Sequence, residues 1–164
     1  RNLNGLIDSL NQIAETYNYP VIVSAHPRTR NMINDKGIKT HKNIHILKPL
    51  GFLDYNCLQM NSFAVLSDSG TINEESSILN FRALNLRDAH ERPEAMEEAS
   101  VMMVGMNSER IIQGLKELSR QEITDNRNFR EVSDYSMPNV SLKVVRIIIS
   151  YVDYINQNVY KKFN

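Results

Sequence analysis

The sequence predicts an α/β fold in which helices cover both faces of a parallel sheet. Two patterns carry that expectation. Short runs rich in β-branched residues, such as Val21-Ile22-Val23 and Ile44-His45-Ile46-Leu47, recur between polar or Pro-containing breaks. Between them lie segments of about ten residues whose apolar positions repeat with helical period. No internal repeat or low-complexity tract interrupts the alternation.

Leu3, Leu6, Ile7, Leu10 and Ile13 place an amphipathic helix over roughly Leu3 to Thr16. Pro20 ends that pattern, and Val21-Ile22-Val23 reads as a buried strand. A helical turn is expected between Thr29 and Asp35, and Ile44 to Leu47 is the next strand, halted by Pro49 and Gly51. Phe52 to Met60 has helical character, and Phe63-Ala64-Val65-Leu66 is another strand. Ser67-Asp68-Ser69-Gly70 turns the chain into a helix over roughly Ile72 to Leu79. Ala83-Leu84-Asn85-Leu86 is a weaker strand, Pro93 suits the first turn of a short helix, and Val101-Met102-Met103-Val104 is a strand ended by Gly105. Ser108 is expected to cap a helix from Glu109 to about Leu118. Gln121 to Met137 is polar and irregular. A final helix, placed at about 138–162 and clearest from Val140 to Lys161, carries an apolar stripe of Val144, Ile148, Tyr151, Val152 and Ile155.

At 164 residues the chain suits one domain with a real core, so residues 1–164 are read as a single unit. Nineteen basic residues balance nineteen acidic ones, which argues against a general attraction for nucleic acid or anionic membrane. Cys57 is the single cysteine; it excludes an internal disulfide and fits a reducing, cytoplasmic compartment. No apolar run approaches the ~20 residues of a membrane span. The opening Arg1-Asn2-Leu3-Asn4 has neither an initiator Met nor a signal-like core and reads as cut from something longer.

Ligands of an open parallel sheet bind beyond the carboxyl ends of its strands, so the segments after the strands are the ones to inspect. Ser24-Ala25-His26-Pro27-Arg28-Thr29-Arg30 offers a histidine and two arginines for phosphate, or equally a solvated loop with Pro27 starting a helix. Pro49-Leu50-Gly51-Phe52-Leu53-Asp54-Tyr55 permits close backbone approach and places Tyr55 where a flat ring could pack, although a turn with core-facing aromatics explains it as well. Ser67 to Glu75 is the strongest segment. A small-residue turn into a helix presents backbone N–H groups at the positive end of the helix dipole, Ser69 and Thr71 add hydroxyls, and Glu75 lies one turn on, in reach of ribose hydroxyls. A plain helix cap by Ser69 or Thr71, with Glu74 and Glu75 favourable in the first turn, accounts for the same residues. Finally, Arg87-Asp88-Ala89-His90-Glu91-Arg92-Pro93-Glu94 concentrates two arginines and a histidine beside that turn. His26, His41, His45 and His90 lack metal-ligand spacing, there is no P-loop lysine signature and no G-x-S-x-G elbow, and the seven methionines read as core filler.

The ordered set Pro49–Tyr55, Ser67–Glu75 and Arg87–Ala95 closely resembles the P-L-x-Y-x-x-F, D-S-G-G-x-Q-E-E and R-D-x-T-E-R-P-E-A signatures of non-hydrolysing UDP-N-acetylglucosamine 2-epimerases. The resemblance runs from about residue 3 to 120. It implies a Rossmann-like domain, the second of a two-domain glycosyltransferase-B type fold, in which UDP is held mainly by that second domain. Carried over, Ser69 and Gly70, with Thr71 beside them, would meet the diphosphate, Glu75 the ribose hydroxyls, Arg92 the phosphate region and the Tyr55 backbone the uracil, with Arg87 and His26 also at the UDP site.

The family eliminates UDP across C1 and C2 of the sugar and adds it back to the opposite face, which needs a base for the C2 proton and an electrostatic cradle for the departing diphosphate. The resemblance implies no cofactor and no metal. The acid/base carboxylates belong to the family's first domain, and its H-R-x-E-N motif should lie upstream of Arg1, so no catalytic residue is expected in this chain. It further implies a UDP-sugar substrate, a homodimer in the full-length form, and a final helix that packs toward the first domain, leaving its apolar stripe exposed in this chain. Thr71 replaces the second glycine and Asn73 the glutamine of the family pattern. With His26–Arg30 and Tyr151-Val152-Asp153-Tyr154, they resemble a branch that epimerises UDP-2-acetamido-2,6-dideoxy-L-talose to UDP-N-acetyl-L-fucosamine for capsule or O-antigen synthesis. A glycosyltransferase of the same architecture and a non-catalytic nucleotide-binding domain are the competing readings.

Overall fold

The computed structural model describes residues 3–89, 92–121 and 127–162. In chain order the elements are α1 (Leu3–Tyr17), β1 (Val21–Ser24), α2 (Pro27–Asp35), β2 (Ile44–Leu47), α3 (Phe52–Met60), β3 (Val65–Ser67), α4 (Ile72–Leu79), β4 (Ala83–Asn85), α5 (Pro93–Glu97), β5 (Met102–Met103), α6 (Ser108–Leu118) and α7 (Val140–Asn158). The chain divides into two compact units, Arg1–Val132 and Ser133–Asn164.

Every strand pair in the first unit is parallel. β1 pairs with β2, Val21 opposite Ile44 through Ser24 opposite Leu47. β4 runs between β3 and β5, with Val65 opposite Ala83 and Leu84 opposite Met102. A parallel neighbour requires a crossover: α2 supplies it between β1 and β2, α4 between β3 and β4, and α5 between β4 and β5. The two sets of strands share one core. Ile7, Leu10, Ile13 and Ala14 of α1 pack with Ile111, Leu115 and Leu118 of α6, and the same cluster takes in Ile44 from β2 and Leu84 from β4. β4 is buried at all three of its residues, as a strand covered on both faces must be.

β1 departs from the expectation of a buried strand. Val21 and Val23 join the core while Ile22 is 46% exposed and Ser24 faces out, and β2 alternates in the same way. Helices cover only one face of this pair, so the β-branched run of β1 signals strand without signalling full burial. α6 differs by one residue at its start: Asn107, not Ser108, is the cap, its side-chain oxygen accepting from the Arg110 N–H at 3.1 Å. α4 ends on Asn80 in the left-handed conformation, a role asparagine fills with little strain. In the second unit, α7 buries none of its residues, the whole apolar stripe included.

Gly114 is where α6 meets β4. A Cβ there would lie 2.9 Å from Leu84 Cδ2 and 3.2 Å from Val104 Cγ1, and Leu84 is fully buried with little room to yield. Gly114→Ala should therefore destabilise the chain by about 1–3 kcal/mol, even though alanine is the better helix former. Urea unfolding measures this; an unchanged or raised midpoint would show that the contact relaxes freely.

Candidate functional site

Parallel pairing brings the segments that follow β3, β4 and β5 to one edge of their sheet, and those that follow β1 and β2 to one edge of theirs. The turn from β3 into α4 lies on the first of these edges. Ser67 Oγ accepts from the Ser69 N–H at 3.1 Å, and Ser69 Oγ accepts from the Thr71 N–H at 3.3 Å and lies 2.9 Å from Thr71 Oγ1. The hydroxyls therefore organise the turn. Thr71 occupies the N-cap position, but its side chain makes no capping bond to the helix. A Thr71 cap thus does not explain this turn; the Ser69 hydroxyl holds the Thr71 N–H just ahead of the helix, whose first N–H groups lie at the positive end of the dipole.

Two arginines from the segment after β4 close over the turn. Arg92 Nε donates to Glu74 Oε1 at 2.5 Å, and a Cβ built on Gly70 would fall 2.8 Å from Arg92 Nη1. Gly70 is required for this approach, because any side chain would displace the guanidinium. Arg87 Nε donates to the Asp68 carbonyl at 2.8 Å, tying the segment after β4 to the one after β3. Asn85 steers that link: buried at the end of β4, its Oδ1 accepts from the Arg87 N–H at 3.0 Å. Arg92 and Glu74 are each about 30% exposed, which makes their pair a half-buried surface bond. Its value is positional more than energetic.

Glu75, one turn into α4, faces α3. Gln59 Nε2 donates to Glu75 Oε2 at 2.6 Å. Tyr55 lies one helical turn before Gln59, on the same face of α3. Its phenol is pushed above the ordinary tyrosine value, first by burial and then by the Glu75 carboxylate, so the two side chains are near neighbours. Three side-chain acceptors around the base of α4, Gln59 Oε1, Asn73 Oδ1 and Glu74 Oε2, are buried with no hydrogen-bond partner.

The structure thus brings Ser69, Gly70, Thr71, Arg87 and Arg92 together around the turn and sets Tyr55 against Glu75. His26 follows β1, in the other sheet; it is exposed and serves as the N-cap of α2, its Nδ1 accepting from the Arg28 N–H at 3.3 Å. His90 and Glu91 lie outside the described residues. Glu74, Asn85 and Gln59 escaped the reading of the sequence. Glu74 was absorbed by its favourable place in the first helical turn; the Tyr55–Gln59 spacing was the available sign of the third.

The opposite edge holds a cavity of about 60 Å³ walled by Ser76, Phe81, Arg82, Ser100, Val101 and Arg127 among others. Its arginines are committed to structure: Arg82 to the Gln121 carbonyl and the face of Phe63, Arg127 to the Ser77 and Ile78 carbonyls at the end of α4. Among the described residues no three His, Cys, Asp or Glu side chains are grouped to hold a metal, and no helix is long and apolar enough to cross a membrane.

The sequence profile of the UDP-N-acetylglucosamine 2-epimerase family matches residues 1–149. The chain belongs to that family. The UDP-N-acetylglucosamine 2-epimerase of Methanocaldococcus jannaschii is 34% identical over 118 residues, which cover 70% of this chain and 32% of that protein. The chain thus spans about a third of that relative's length. Among solved structures, the UDP-N-acetylglucosamine 2-epimerase from Rickettsia bellii superposes with a TM-score of 0.88 at 44% identity, over 98% of this chain and 44% of that one. The M. jannaschii enzyme, solved in complex with UDP-GlcNAc and UDP, gives 0.78 at 30% identity, over 90% of this chain and 40% of that one. The parallel α/β arrangement is accordingly the Rossmann-like fold of the glycosyltransferase-B type found in that family.

The electrostatic coupling of Tyr55 to Glu75 is directly checkable. Glu75→Gln removes the negative charge beside the phenol and leaves its burial in place, so the Tyr55 pKa should fall toward, without reaching, the ordinary value. Spectrophotometric titration of the phenols in the two proteins reads the difference; identical curves would separate the two side chains.

Proposed function

We propose that this chain supplies the UDP-binding part of a UDP-sugar 2-epimerase, an isomerase that inverts C2 of a UDP-2-acetamido sugar by eliminating UDP and adding it back. The observation that carries the proposal is the seating of Arg92 on Gly70 beside an α4 N-terminus that no Thr71 side-chain bond caps. Elimination breaks the bond between the sugar C1 and the diphosphate oxygen while a base removes the C2 proton. Charge develops on the departing diphosphate. A helix N-terminus with two adjacent guanidinium groups stabilises such charge without having to reorganise.

Residue by residue, Ser69, Gly70 and Thr71 hold the diphosphate, Arg92 and Arg87 flank it, Glu75 accepts from the ribose hydroxyls, and Tyr55 lies along the uracil. His26 is the outermost member of the set. The proton-transfer carboxylates come from a preceding domain, this chain being the second of the two, and the whole enzyme acts as a cytoplasmic homodimer without cofactor. The relatives' names point to UDP-N-acetylglucosamine as the sugar nucleotide. Thr71 and Asn73 are the positions that would direct the site to the 6-deoxy pair, in capsule or O-antigen synthesis.

Calorimetric titration tests this reading. UDP should bind saturably and ADP should not, and Glu75→Ala should weaken UDP by about tenfold or more through loss of charge-assisted hydrogen bonds. Gly70→Ala should do the same by displacing Arg92 while the chain stays folded. A folded chain that ignores UDP, or binds ADP equally, would contradict the proposal.

A further inference from the structure

α3 is packed the wrong way round for a surface helix. Gln59 is its one buried residue, 3% exposed, while Phe52 and Leu53 are 81% and 79% exposed. Burying a glutamine costs free energy unless its amide is fully bonded, and here the amide oxygen is left without a partner. Leucine or methionine at this position would satisfy the helix better. A local rule broken in this way, with no gain in packing, marks a residue held for something other than stability.

The use made of Gln59 is visible in its one bond. Its Nε2 donates to Glu75 Oε2 at 2.6 Å, a charge-assisted contact across the α3–α4 interface. A carboxylate on a helix surface turns about its own side-chain torsions, and a single buried donor on one oxygen fixes that rotation. We infer that Gln59 is a positioning residue that clamps Glu75 Oε2, so that the other carboxylate oxygen, Oε1, is presented to the vicinal ribose hydroxyls of a uridine nucleotide. Specificity for ribose over a sugar lacking those hydroxyls then depends on α3 as much as on Glu75. This inference rests on the assignment of Glu75 to the ribose.

Titrations with UDP and with 2′,3′-dideoxyuridine diphosphate test it on the 164-residue chain. The unaltered chain should prefer UDP. Gln59→Met, which keeps the volume and removes the donor, should lose about tenfold in UDP affinity with the dideoxy ligand unaffected, so the preference collapses. Thermal stability should hold or rise, since an orphaned buried acceptor is gone; a merely structural glutamine would move stability and spare the preference. Gln59→Glu, which keeps the shape and turns the donor into a second carboxylate, should show the same selective loss. If both variants keep the preference of the unaltered chain, the role of Gln59 is overturned while the UDP site stands. If the unaltered chain binds UDP no better than the dideoxy ligand, or binds neither, the assignment of Glu75 falls and this inference falls with it.

Discussion

Parallel strand pairing is the constraint from which the site follows. A strand can join a parallel neighbour only after the chain has crossed back, so within each sheet of the first unit every strand delivers its following segment to the same edge. The turn into α4 and the arginines beyond β4 are distant in sequence and meet for this reason, while the Gln59–Glu75 bond joins α3 to α4. What the topology cannot provide is close contact, and that depends on Gly70. With no side chain there, the Arg92 guanidinium lies directly on the turn; with one, it could not. Gly105 plays a similar part after β5, with positive φ and Asp88 Oδ1 only 2.6 Å from where its Cβ would stand.

The distribution of unsatisfied groups separates the two edges of the sheets. Around α4 the orphaned atoms are all acceptors, on Gln59, Asn73 and Glu74. Burying such groups without a hydrogen bond costs free energy. At the opposite edge the arginines around the cavity are already bonded, Arg82 and Arg127 to backbone carbonyls and Arg130 to Glu98, with the Arg82 Nε left over. A concave shape is thus a poorer guide here than the bonding state of the side chains.

The periodic elements were legible from the residues because their signal is local. Helix α4 spans Ile72–Leu79 as its pattern predicts, and α3 spans Phe52–Met60. The misreadings arise where the decisive partner is remote. β1 has the β-branched composition of a buried strand, but whether Ile22 is covered depends on a layer that its own sequence does not encode. Asn107 and Ser108 are both good caps, and one backbone angle chooses between them. Ser69, Gly70 and Arg92 were recognisable as a set because their spacing is a family signature. Gln59 was not, since a single glutamine in a short helix of weak amphipathicity carries no pattern; only its burial beside Glu75 gives it meaning.

The central claim is that the turn into α4, and not the cavity at the far edge, receives the nucleotide. Backbone amide chemical shifts recorded during addition of UDP test it most directly. The account predicts the largest changes at Ser69, Gly70, Thr71 and Ile72, with smaller ones at Tyr55, Glu75 and Arg92, and none at Phe81, Ser100 or Val101. Saturable changes centred on Phe81, Ser100 and Val101, with the turn unmoved, would contradict it.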